Sequence, residues 1–279
     1  MLKLDEITWM ELDRLDRHRT LILIPISPLE EHGPHLPIGT DVLAAADIAE
    51  NTAAQLEEKA SDHVAVLCPA IPLGCAAITA DFPGTVSLSG TTLKNVIVDV
   101  CRAWTQHGFN HLLFCNHHLD PIHMKAILWA IEEVQADSDS RIAETMSRSI
   151  YAGLENDAET RGRAMGLDMR FEIHADVKEA AYIRYRRPEL FKPDAAPLEP
   201  VRIDVRKAMQ DGHTTFKQMG AELGYIGNPA QCDADFGRLH IEACTRQAVE
   251  LALKLMRGES LPPIDPKIWA FLDQYVELD

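Results

Sequence analysis

Two short stretches of the chain crowd carboxylates and imidazoles together. The first is Leu29-Glu30-Glu31-His32-Gly33-Pro34-His35-Leu36-Pro37, with Thr40-Asp41 shortly after; the second is Asn116-His117-His118-Leu119-Asp120. Carboxylate oxygens and imidazole nitrogens are the donors that hold Zn²⁺ or Mn²⁺. In extended chain, alternate side chains face the same way, which pairs Glu30 with His32 and His118 with Asp120. With Asp41 these make five candidate metal ligands: Glu30, His32, Asp41, His118 and Asp120. Each piece also has a plainer reading. Asp120 before Pro121 fits a helix N-cap with proline at the first helical position. Glu30 and Glu31 fit loop carboxylates, and His35 a loop side chain. His117 fits a packing or outer donor role, because strand neighbours face opposite ways. The concentration of these groups in two places favours the metal.

Each cluster directly follows a short apolar run, Leu21-Ile22-Leu23-Ile24-Pro25-Ile26 in one case and His111-Leu112-Leu113-Phe114-Cys115 in the other. Val64-Ala65-Val66-Leu67-Cys68 is a third such run. Residues 42–60, the stripe Leu93, Val96, Ile97, Val100, Cys101 and Trp104, and residues 121–136 have helical spacing. Buried strands alternating with amphipathic helices predict an α/β fold: a mostly parallel central sheet with helices on both faces, a three-layer sandwich. In such sheets ligands bind beyond the carboxyl ends of the strands, where both clusters fall. Residues 138–231 have no clear period, and 187–200, with four prolines, reads as a long surface loop. Residues 239–256 form an amphipathic helix. With no internal repeat and no clean linker, 1–279 reads as a single domain.

The whole chain has 279 residues with 43 acidic and 27 basic side chains, hence 27 − 43 = −16 with neutral histidines. An ordinary 46% hydrophobic fraction excludes disordered and fibrous classes. The acidic balance argues against nucleic acid or an anionic membrane as partner. Six cysteines without a CxxC pair are too sparse for a disulfide scaffold. No signal-like or membrane-spanning run is present, so the expected location is cytoplasmic.

The sequence resembles the creatininase family of creatinine amidohydrolase-like hydrolases. The resemblance rests on Glu30-Glu31-His32-Gly33 through Asp41, on Phe82-Pro83-Gly84-Thr85-Val86-Ser87-Leu88, and on the Asn116–Asp120 cluster. It continues in His174-Ala175-Asp176-Val177-Lys178-Glu179 and in Gly224-Tyr225-Ile226-Gly227-Asn228-Pro229, followed by Gly237. It implies two divalent ions per chain, drawn from zinc, manganese and iron. Glu30 and His118 would hold one, His32 and Asp120 the other, and Asp41 would bridge. Two such ions carry +4 against −3 from Glu30, Asp41 and Asp120, a surplus that favours an activated water as nucleophile. His174 is the implied proton shuttle, unless it is only a structural histidine, and Glu179 an orienting group. Asp81 and Arg170 are candidate substrate contacts, although Arg170 fits a surface residue equally well.

The chain also departs from the family pattern. Glu31 replaces the usual Gln, His117 stands where Gly is common, and Ala180-Ala181 follow Glu179 where Thr-Ser is usual. No tryptophan lies just before His174, where Arg170 stands instead. The expected activity is therefore hydrolysis of a C–N bond in a small cyclic amide, formamide or related small molecule other than creatinine. The alternative is a metal-binding member that has lost hydrolysis and serves as a ligand-binding or regulatory protein. The resemblance also implies a homo-oligomer, commonly a hexamer.

Overall fold

The computed structural model describes residues 1–60, 62–150, 157–193 and 196–279. Five strands form one parallel sheet in the order β1-β3-β2-β4-β5: β1 (Leu2–Lys3), β2 (Thr20–Pro25), β3 (Val64–Leu67), β4 (His111–Cys115) and β5 (Arg141–Glu144). After a short α1 (Trp9–Asp13), three helices carry the crossovers: α2 (Thr40–Lys59), α3 (Gly90–Thr105) and α4 (Pro121–Ala136). Then follow α5 (Thr145–Ile150), α6 (Asp157–Ala164), α7 (Val177–Arg186), α8 (Val205–Gln210), α9 (Ala234–Met256) and α10 (Pro266–Tyr275). The predicted helix-covered parallel sheet is present. No helix among the described residues is long and apolar enough to cross a membrane.

The alternation within each strand builds two cores. Leu21, Leu23, Leu113 and Cys115 pack with α2, α7 and α9 on one face, through side chains such as Ile48, Ile183 and Ala248. Ile22, Ile24, Leu112 and Phe114 pack with α3 and α4 on the other, against Leu93, Ile97 and Ile127. Every residue of β2 is buried, so each large side chain there contributes roughly 2 kcal/mol from removal of apolar surface from water. From β2 the chain passes over one face by α2 to β3, and from β3 over the other face by α3 to β4. Neighbours β2 and β4 therefore send their outgoing loops to opposite faces, and a crevice opens between their carboxyl ends.

Sequence periodicity missed two strands for lack of length. The strand β1 has two residues, and β5 contributes only Ile142 and Ala143 to the cores. Of the expected loop at 187–200, Pro188–Leu190 forms a 3₁₀ turn, while residues 194–195 lie outside the described residues. The helix expected from residue 239 starts five residues earlier, capped by Asp233, whose Oδ1 accepts from the Phe236 amide at 2.7 Å.

Two contacts fix the helices that flank the crevice. The helix α9 lies so close to α7 that a Cβ on Gly237 would fall 2.0 Å from the Ala181 carbonyl oxygen. Asp47 of α2 is buried and accepts from Tyr182 Oη (2.8 Å), Arg186 Nε (3.0 Å) and both terminal nitrogens of Arg187 (2.7 and 2.9 Å) at the end of α7. Burial opposes its charge, but these donors hold its pKa below the usual 3.8. A lowered pKa means the ion pair stabilises the fold above the unfolded carboxylate value and is lost as pH falls through the folded one. Asp47→Asn is expected to cost about 3 kcal/mol at neutral pH, in the range for breaking a buried pair. The gap from wild type should shrink below about pH 4 in urea melts; a gap independent of pH would contradict this role.

Candidate metal centre

The crevice between β2 and β4 collects the first cluster. Beyond β2 the chain makes single bridges, Ile26 to Ile71 and Leu29 to Val86, and the Glu30 amide donates to the Ile38 carbonyl at 3.1 Å. This loop turns Glu30 and His32 back over the sheet, and Thr79 Oγ1 donates to Glu30 Oε1 at 2.7 Å. Asp41 stands in the first turn of α2, where the positive helix end favours an anion. His118 follows β4.

Two backbone carbonyls set the tautomers of the imidazoles. His118 Nε2 donates to the Cys75 carbonyl at 2.8 Å, which turns Nδ1 toward Glu30 Oε2 and Asp41 Oδ2, both at 3.0 Å. His32 Nδ1 donates to the Glu30 carbonyl at 3.0 Å, leaving Nε2 facing Asp41 Oδ1 at 3.6 Å and Glu179 Oε2 at 3.7 Å. The two oxygens of Asp41 thus face different imidazoles. Donor atoms of Glu30, Asp41 and His118 lie within 4.8 Å of one another, as do those of His32, Asp41 and Glu179. Glu30 Oε2, His32 Nε2 and Glu179 Oε2 are buried, and no hydrogen bond reaches them. A carbonyl behind each imidazole and bare donors in front are what a divalent ion requires. The residues present therefore fit two divalent cations, with Glu30, Asp41 and His118 around one and His32, Asp41 and Glu179 around the other.

The electrostatics agree. Burial works against every charge here, yet His32 and hydrogen bonds from His117 and His118 hold Asp41 well below the usual carboxylate range. The same carboxylates raise His32 and His118 well above 6.5 against the penalty of burial. Glu179 is raised, chiefly by burial. Buried negative charge in this cluster draws positive charge from any source, and protons on the imidazoles supply it where cations do not.

His174 stacks on His32 with ring centroids 4.6 Å apart. Its Nε2 donates to the Glu31 carbonyl at 2.9 Å, and its Nδ1 lies 4.0 Å from Glu30 Oε2. Burial opposes its charge, but Glu30 and then Glu31 raise its pKa to about 9. Glu31, the unusual acid of the first motif, sits outside both donor groups. Its Oε1 is 3.4 Å from His174 Nε2, and it packs where a side chain on Gly224, at φ +75°, would collide at 2.1 Å. His35 anchors the same segment, its Nε2 donating to the carbonyl of Ala175, which has a positive φ of 44°.

Asp120, expected beside His32, joins neither donor group. Its Oδ1 accepts from the amides of Ile122 (2.8 Å) and His123 (3.2 Å), capping α4. Glu179 takes the place beside His32, because the Asp176 cap, which accepts from the Lys178 and Glu179 amides, aims the first turn of α7 into the crevice. A cleft of about 630 Å³ opens above these groups, lined by Glu30, His118, Asp120, His174 and Glu179 and walled by Ile78, Val205, Met209 and Phe216. Asp81 and Arg170 do not line it. Asp81 accepts from Thr215 Oγ1, while the exposed Arg170 pairs with Asp168 at 2.6 Å.

The family model described as Creatininase: Creatinine amidohydrolase matches residues 5–252. The chain belongs to the creatininase family. It is 35% identical over 101 residues to the mycofactocin precursor peptide peptidase of Mycolicibacterium smegmatis, covering 35% of this chain and 39% of that protein. It is 28% identical over 121 residues to the creatinine amidohydrolase of Pseudomonas putida, covering 41% and 44%. The chain thus matches about two fifths of the length of these two curated relatives. A crystal structure of creatinine amidohydrolase superposes with TM-score 0.73 at 20% identity, covering 94% of this chain and 98% of that one, which shows the creatininase fold. Creatininase has also been solved in a manganese form and, as a variant, in a zinc–zinc form.

The cap geometry of Asp120 generates a stability test. Asp120→Asn, which keeps an amide-accepting oxygen, should change unfolding free energy by a few tenths of a kcal/mol, while Asp120→Ala should cost about 1 kcal/mol. Equal losses in denaturant melts would remove the capping role.

Proposed function

We propose that this chain is a dinuclear metal-dependent hydrolase of amide C–N bonds. The observation that carries this reading is the pair of buried donor groups sharing Asp41, each with its imidazole locked by a backbone carbonyl. The nitrogen and oxygen donors suit Zn²⁺ or Mn²⁺, the ions of the solved creatininase forms. Bound there, two such cations would supply polarisation of an amide carbonyl and acidification of a water.

The chain's own residues do the rest. Glu30, Asp41 and Glu179 supply three carboxylates at the foot of the cleft, the first two fully buried and the third 12% exposed. Because Nε2 of His174 is committed to the Glu31 carbonyl, Nδ1, the atom facing Glu30, is where a proton is gained and released. From there His174 can pass a proton to the departing nitrogen. The Glu31 carbonyl holds that imidazole, and His35 fixes the backbone of the next residue, Ala175. The apolar wall of Ile78, Val205, Met209 and Phe216 accepts the uncharged part of the substrate.

Small cyclic amides and formamides remain one substrate class. A cleft of about 630 Å³ is of the size that holds a far larger ligand, and the match to a peptide peptidase points the same way. This favours a second class, peptides.

Asp41→Ala should lose both ions together and Glu179→Gln one, whereas Asp120→Asn should retain two, by elemental analysis after dialysis. Two ions on Asp41→Ala would refute the shared carboxylate. His174→Ala should keep its metals and slow turnover about 10²–10⁴-fold; unchanged turnover would take His174 out of the reaction. Chelation should abolish hydrolysis, with recovery on adding Mn²⁺ or Zn²⁺. A metal-loaded protein inert toward cyclic amides, formamides and short peptides alike would support the non-hydrolytic ligand-binding alternative.

A further inference from the structure

One cluster of possible ligands lies outside the two donor groups. His117 at the end of β4 and His240 on α9 face each other, Nε2 to Nε2, at 2.9 Å. Cys244 stands one helical turn beyond His240, and one donor atom from each of the three lies within 4.8 Å of the others. All three residues line the cleft, on the α9 side.

The tautomer of His117 is set from behind. Its Nδ1 lies 3.2 Å from Asp41 Oδ1, a carboxylate that can only accept, so Nδ1 carries the proton and Nε2 presents a lone pair. Carboxylate, imidazole and lone pair in this order are the outer-shell arrangement found behind zinc-ligating histidines. His240 is buried and faces His117 with its own Nε2, so both imidazoles turn a ring nitrogen toward the same point.

We propose that His117, His240 and Cys244 form a separate site for a single thiophilic cation, Zn²⁺, in the wall of the cleft. Two imidazole nitrogens and one thiolate leave the fourth tetrahedral position for water or a substrate atom from the cleft. Zinc–ligand lengths of about 2.0–2.3 Å place tetrahedral donors roughly 3.3–3.7 Å apart, so the two imidazole nitrogens, now 2.9 Å apart, would separate by under about 1 Å to admit the ion. Cys244 binds as the thiolate, its proton passing to solvent. Burial pushes the Cys244 thiol up to about 12, so the cation itself must displace the proton; Lys178, whose field reaches both His240 and Cys244, favours the thiolate but opposes a second positive charge. It is itself neutralised by Asp176 at 3.0 Å.

The site does not rest on the dinuclear reading, since neither of those donor groups contains sulfur. Titrating Co²⁺ into the metal-free protein separates the two. Wild type should develop a near-ultraviolet thiolate-to-cobalt charge-transfer band that Zn²⁺ bleaches. Cys244→Ser should lose the band and one equivalent of cobalt, and His240→Ala should lose or strongly weaken it. Glu30→Gln, which disables a dinuclear donor group, should keep the band. No band in wild type, or a band that survives in a folded Cys244→Ser protein, would overturn the proposal. Loss of the other ions with the band intact would instead count against the dinuclear centre.

Discussion

The carboxylate of Asp41 is the hub on which the site depends. Its two oxygens are nearly inaccessible to water and meet three imidazoles: His118 on one side, His32 and His117 on the other. A buried anion of this kind is tolerable only where positive charge answers it, and its position at the start of α2 supplies part of that answer through the helix end. Six residues along the same helix, Asp47 binds the far end of α7. One helix therefore carries both the centre of the site and the brace that sets the helix delivering Glu179.

The sheet supplies the crevice. Because β2 and β4 are adjacent and their crossovers leave over opposite faces, their outgoing loops converge on the space between their ends. The loop after β2 brings Glu30 and His32, and the loop after β4 brings His117 and His118. The pairing of Ile173 and His174 with Ile226 then closes the third side with the His174 imidazole. None of these segments lies in a regular element, yet each is pinned by backbone bonds and buried contacts, as preorganised ligands require.

The cluster concentrates buried carboxylates and imidazoles, and Glu30 Oε2, His32 Nε2 and Glu179 Oε2 among them have no hydrogen bond. Such an arrangement lowers stability relative to an apolar core of the same shape. It persists because the surrounding cores on both sheet faces are well filled, and its cost is local to the groups that would bind cations.

Much of this was legible in the chain itself. Apolar runs with helical spacing between them identify a helix-covered parallel sheet, since strands buried on both faces lose the alternation that marks a half-exposed strand. The motifs containing Glu30, His32, Asp41, His118 and His174 stand out because imidazoles and carboxylates rarely crowd at strand ends without chemistry. Tertiary structure alone decided which donors share a site. Asp120 and Pro121 already carried the signature of an N-cap, and Asp120 Oδ1 caps α4 while the residue also lines the cleft. Glu179 enters only because α7 is aimed by its Asp176 cap and braced by Asp47. His240 and Cys244 lie more than a hundred residues from His117, and nothing local in α9 announces them. Local spacing determines which side chains share a face of one element; which faces meet depends on how the two cores pack, and that is a property of the whole fold.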